Sequence, residues 1–137
     1  MKAKSELINI LNHAIEMCAP DIHFILADTG IIVIQLRAGN VMIPYSRLSS
    51  VQYKQLLNYI ETHAMFESCS KGYPRFGGKD GIMKFFEPEI ILVCHASILI
   101  TYNKFKSLCL RIKIPSISKC QKEIKKLAEI EATMILN

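Results

Sequence analysis

Residues 31–43, Ile-Ile-Val-Ile-Gln-Leu-Arg-Ala-Gly-Asn-Val-Met-Ile, constrain the fold more than any other stretch. A run rich in β-branched residues reaches Gly39-Asn40 and then resumes. A two-residue connection between strands needs backbone with positive φ, which glycine and asparagine supply, so the pair must be antiparallel. Asp28-Thr29-Gly30 is a second turn signal just upstream. Residues 21–46 therefore read as strand, turn, strand, turn, short strand. Ahead of them Leu7, Ile8, Leu11, Ala14, Ile15 and Cys18 recur at helical spacing. Ser5 is the expected N-cap of that helix, and Pro20 its end.

The same grammar repeats downstream. Ser49 and Gln52 form a capping box, and Val51, Leu56, Leu57, Ile60, Ala64 and Met65 make the apolar stripe of a second helix. A glycine-rich segment follows, then apolar runs at 82–86, 89–101 and 105–114 that read as antiparallel strands. A last helix is expected from Ser118, capped with Gln121. The order α-βββ-α-βββ-α describes one α+β domain over residues 1–137, an antiparallel sheet with helices. At 137 residues the chain is long enough to bury a core without disulfides or a metal.

Composition narrows the classes further. Half the residues are hydrophobic and 21% are charged, which argues against disorder. No apolar run approaches the roughly 20 residues that cross a bilayer as a helix. Glu6, Asn12, His13 and Glu16 interrupt the first helix where a signal peptide would be apolar. Five cysteines, an odd number without a C-x-x-C pair, read as free buried thiols in a reducing cytoplasm. A net charge of +5 permits a nucleic-acid partner but does not select one. Lys119, Lys122, Lys125 and Lys126 share the polar side of a helical pattern with no interleaved aromatic, so a solvated helix face is the better reading.

Little in the chain resembles a self-contained active site. The glycine segment lacks G-x-x-x-x-G-K-[ST], since Lys79 is followed by Asp80. His13, His23, His63 and His95 have no metal-ligand spacing; only His63, Glu67 and Cys69 could approach one another, and a surface reading is preferred there. Cys94 and His95 are neighbours in a strand and so point to opposite faces. Asp21 and His23, two apart where helix gives way to strand, fit a junction better than a catalytic pair.

Five short motifs in order carry a resemblance. Ala19-Pro20-Asp21-Ile22-His23 resembles the "(A)SDIH" signature of the N-terminal domain of bacterial traffic ATPases, with proline for serine. These enzymes drive type II secretion, type IV pilus assembly and competence pseudopili. Arg37-Ala38-Gly39-Asn40-Val41-Met42 is similar to the family's "R-x-D-G-x-(L/M)" turn, with Gly-Asn for Asp-Gly, dipeptides that both suit a type I′ turn. The helix beginning Leu48-Ser49 has a counterpart there. Residues 72–78 resemble its "R-x-P-Q-x-G-R" segment, with Gly78 in place of arginine. Residues 94–112 resemble its closing strand ladder, where Ser97, Leu99, Thr101, Leu110, Arg111 and Ile112 fit and His95 takes an arginine's place.

The resemblance implies a PAS-like core over residues 1–114 and a linker or capping helix over 115–137. In the family this domain precedes a RecA-like motor that holds ATP and magnesium. The N-terminal domain lends arginines to a neighbouring subunit's nucleotide in a hexamer, and contacts the inner-membrane platform from the cytoplasm. Arg37, Arg75, Arg111 and His95 are the corresponding nucleotide-interface candidates here, with Asp21 and His23 as motif residues. The chain itself is then non-catalytic, without cofactor or metal. The alternative is a stand-alone PAS-like regulatory or binding module that takes a small ligand or a partner helix on its sheet.

Overall fold

Helix α1 spans Lys2–Glu16, and its buried residues Leu7, Ile10, Leu11 and Ala14 follow the i, i+3, i+4, i+7 stripe. The computed structural model describes residues 2–66, 78–87, 90–101 and 104–115. Ser5 lies inside α1 and so is not its N-cap. Pro20 does not end the helix by itself either. Cys18 donates from its backbone N–H to Ile15 O (3.0 Å), Ala19 donates to Ala14 O (2.8 Å), and Cys18 has φ 53°. That pair of bonds is the Schellman stop, with cysteine at the left-handed position usually given to glycine. Cys18 is also disulfide-bonded, whereas Cys94 and Cys109 are free. The reading of five free thiols is therefore wrong at Cys18. Its half-cystine partner lies outside the described residues.

Seven strands follow: β1 (Asp21–Leu26), β2 (Ile32–Ala38), β3 (Val41–Leu48), β4 (Met65–Phe66), β5 (Lys79–Glu87), β6 (Ile90–Ile100) and β7 (Lys106–Ile114). Helix α2 (Ser50–His63) sits between β3 and β4. All pairings are antiparallel, in the order β3-β2-β1-β7-β6-β5-β4. The hairpin forms where Gly39-Asn40 requires it, with Ala38 opposite Val41. Gly39 alone has positive φ, at 63°, and Asn40 does not. That is the first-position pattern of a II′ turn rather than the I′ turn suggested by the dipeptide.

Two further details depart from the sequence reading. Four strands follow α2 instead of three, because Met65, expected in the helical stripe, pairs with Ile82, and Phe66 beside it pairs with Gly81. Met65 is 77% exposed, and Val51, expected in the buried stripe, is 63% exposed. The Ser49–Gln52 capping box is present, with both reciprocal bonds made. The helix expected from Ser118, the glycine-rich segment with Arg75, and Cys69 and Cys120 all lie outside the described residues.

Both helices cover one face of the sheet. Tyr53 of α2 meets Phe24 of β1 at 5.9 Å between ring centroids, and His13 of α1 stacks on Tyr45 of β3 at 4.2 Å. Beneath them lie Ile22, Phe24, Ile34, Leu36, Leu92, Ala96, Ile98, Leu108 and Leu110, none more than 2% exposed. Each large apolar side chain so buried contributes about 1.5–3 kcal/mol relative to exposure. At the rim Glu61 of α2 binds Lys79 (3.1 Å) and Lys106 (3.0 Å), which ties the helix to β5 and β7.

Candidate functional site

Side chains alternate across each strand, so the register decides which groups share the face that the helices leave open. Asp21 lies opposite Arg37 on β2 and opposite Arg111 on β7, and Arg111 lies opposite His95 on β6. Among the described residues the uncovered face thus carries a row Arg37–Asp21–Arg111–His95 across four adjacent strands. Arg111 grips Asp21 with both arms: Nε donates to Oδ1 at 2.6 Å and Nη2 to Oδ2 at 3.1 Å. These hydrogen bonds, then the charge of the carboxylate, raise the Arg111 guanidinium further above its ordinary range. The Arg111 side chain is 56% exposed and that of Asp21 only 15%. An ion pair this wet contributes about 0–1 kcal/mol to stability, so it serves mainly to orient the guanidinium.

Arg37 does not join the pair. Its Nε donates to Gly39 O at 3.2 Å, closing on its own turn, and its other donors have no partner among the described residues. Of the four expected interface residues the sheet aligns Arg37, Arg111 and His95 on one face; Arg75 lies outside the described residues. Asp21 and His23 share this face, but the Asp21 carboxylate is engaged by Arg111, while His23 lies opposite Cys109 in the register.

His23 belongs to a second row. It faces Cys109, which faces Ser97, which faces Asp80. Ser97 Oγ donates to Asp80 Oδ1 at 2.6 Å. The His23–Cys109 juxtaposition was hidden from sequence reading, because 86 positions of chain separate residues that only β1–β7 pairing brings together. A base beside a thiol invites nucleophile chemistry. Burial and then the Asp21 carboxylate push the Cys109 thiol up, and Arg111 offsets only part of this. The thiol is held protonated at neutral pH and is a poor nucleophile.

Cys94 and His95 point to opposite faces as strand neighbours must. Cys94 is buried under the helices, which pushes its thiol up to about 12, while His95 is half-buried on the open side. His63 stacks on Tyr59 at 4.1 Å, and its Nδ1 lies 2.9 Å from Tyr59 O. Glu67 and Cys69, its proposed companions, lie outside the described residues. Among the described residues no group of three His, Cys, Asp or Glu side chains is placed to hold a metal ion. None of their helices is long and apolar enough to cross a membrane.

Beyond the charged rows, the open face carries Phe86 at 76% exposure, with Ile82, Ile91 and Leu99 also exposed. Comparison of the chain with protein-family models and with curated proteins finds no match to either.

Proposed function

We propose that this chain is the PAS-like N-terminal domain of a traffic ATPase of the secretion, pilus-assembly or DNA-uptake kind. It acts in the cytoplasm against the inner-membrane platform and couples nucleotide state to movement in a hexamer. The observation that carries the reading is the Arg37–Asp21–Arg111 row. Three motifs far apart in the chain, Asp21 to His23, the Arg37 turn and the Leu110-Arg111-Ile112 strand, supply adjacent positions on one face. The antiparallel sheet with helices on one side supports the PAS-like description.

In this reading the chain performs no chemistry alone. Asp21 holds the Nε and Nη2 edge of Arg111 in a fixed geometry, which leaves the Nη1 donors for a phosphate oxygen of the neighbouring subunit's nucleotide. Arg37 adds donors at the next strand. ATP and magnesium belong with the RecA-like motor, and the partners are that motor, the neighbouring subunits and the platform protein. The cytoplasmic placement rests on the family resemblance, since the disulfide at Cys18 removes part of the thiol argument.

The test is ATP turnover by a protein that joins this domain to its motor. Replacing Arg111 by alanine lowers turnover about ten- to a hundredfold, the scale of one charge-assisted hydrogen bond, and lysine restores part of it. Unchanged turnover in a folded Arg111→Ala protein overturns the reading. A second reading, a stand-alone module that docks a partner on its sheet, draws on the exposed apolar residues of the open face. It places the partner over Phe86 and Leu99, so Phe86→Ala weakens binding while Arg111→Ala does not.

A further inference from the structure

On the helix-covered side, one face of α2 from Ser50 to Glu61 overhangs the turn from β1 to β2 and the start of β7. Between them is a cleft of about 480 Å³. That size falls within the roughly 300–1,000 Å³ usual for small-molecule sites. Its floor is apolar. Leu57 and Ile32 are buried, Leu26 is partly open, and Phe105 stacks on Tyr53 at 5.5 Å with an interplanar angle of 18°. The Tyr53 hydroxyl donates to Lys106 O, so this polar group is already committed to the wall.

The rim has one sign of charge in excess. Lys54, Lys104 and Lys106 stand around the mouth with one carboxylate among the described lining residues, Glu61. Glu61 is committed to Lys106 and Lys79. Neither Lys54 nor Lys104 has an acidic partner among the described residues. Lys104 also sits at φ 64°, a costly left-handed conformation for a residue with a side chain. The turn holds it there: Thr101 N donates to Phe105 O at 2.8 Å, and Lys104 N donates to Thr101 O at 2.9 Å.

An apolar concavity whose lip carries cations without an acidic partner among the described residues suits one kind of ligand. We propose that this cleft binds a soluble anionic amphiphile, its apolar body against Leu57 and Phe105 and its acidic group on Lys54 and Lys104. The acidic group is a carboxylate, sulfonate or phosphate monoester. The proposal stands apart from both functional readings above, which use the opposite face of the sheet.

The test uses two fluorescent probes on the whole chain, 8-anilinonaphthalene-1-sulfonate and its uncharged relative N-phenyl-1-naphthylamine. The sulfonate should bind saturably at one site per chain. Lys54→Ala with Lys104→Ala should weaken it about tenfold and leave the neutral probe within about threefold, as loss of charge pairing requires. Leu57→Trp should fill the floor and block both probes. Should that variant fail to fold, the exposed lysine variants still decide. Phe86→Ser, on the other face, should change neither probe. Three outcomes overturn the proposal: no saturable binding, equal loss of both probes in the lysine variants, or loss in Phe86→Ser. A fourth is lysine-dependent cosedimentation with phosphatidylglycerol vesicles in the absence of sulfonate binding, which assigns the lysines to a membrane surface instead.

Discussion

The two faces of the one sheet are built from the same strands and differ in almost every chemical respect. Even-numbered residues of β1, Ile22 and Phe24, lie under the helices, and odd-numbered Asp21 and His23 lie on the open side. The covered face is a continuous apolar layer that crosses from β3 to β5. The open face alternates charged rows with exposed apolar side chains. Packing against α1 and α2 sets the first, and any apolar residue of about the right volume would serve there. Nothing in the fold requires a bidentate Asp21–Arg111 pair on the second. Among the described residues no helix packs over this face, so packing constrains its pattern less.

The sharpest way to break this division is to make one substitution on both faces. Phe24 on β1 is 2% exposed and Phe86 on β5 is 76% exposed. Phe24→Ala should cost about 3–5 kcal/mol, through lost burial and a cavity against Tyr53. Phe86→Ala should change stability by less than about 0.5 kcal/mol. Denaturant midpoints at equal slopes measure both, and similar losses at the two positions would remove the distinction.

A smaller effect tests the rim that joins helix to sheet. Burial alone would raise the Glu61 carboxyl, but hydrogen bonds and charges from Lys106 and Lys79 outweigh it and hold the group below its ordinary value. A carboxylate depressed on folding stabilises the native state above its unfolded pKa, and that contribution is lost as pH falls through the folded value. Glu61→Gln should therefore cost within about 1 kcal/mol at neutral pH. The gap from wild type should narrow as the medium is acidified below the ordinary carboxyl value of 4.5. A gap that widens in acid would contradict the pairing.

How much of this was legible beforehand depends on the range of each signal. Local signals worked. The Ser49–Gln52 capping box and the Gly39-Asn40 hairpin both act within a few residues, and each appears in the fold. The strand at Met65–Phe66 leaves no sequence sign, because two residues have no periodicity of their own and the strand exists only through β5. The end of α1 was credited to Pro20, since a cysteine in left-handed backbone gives no sequence sign. The candidate site was partly readable. Arg37 and Arg111 stand out by resemblance, but the pairing of Arg111 with Asp21 depends on a register that spans 90 positions. The His23–Cys109 juxtaposition is hidden from the sequence for the same reason.

The central claim is that Asp21 orients Arg111 for work on the open face, not for stability. On the proposed function, the most direct measurement is a double-mutant cycle, Asp21→Asn with Arg111→Ala, in a protein that joins this chain to the proposed motor, read both as ATP turnover and as unfolding free energy. If Asp21 acts through Arg111, Asp21→Asn lowers turnover in the wild-type background and adds nothing once Arg111 is alanine, while unfolding changes by no more than about 1 kcal/mol in any variant. Additive losses of turnover, or turnover falling only in step with stability, would contradict it.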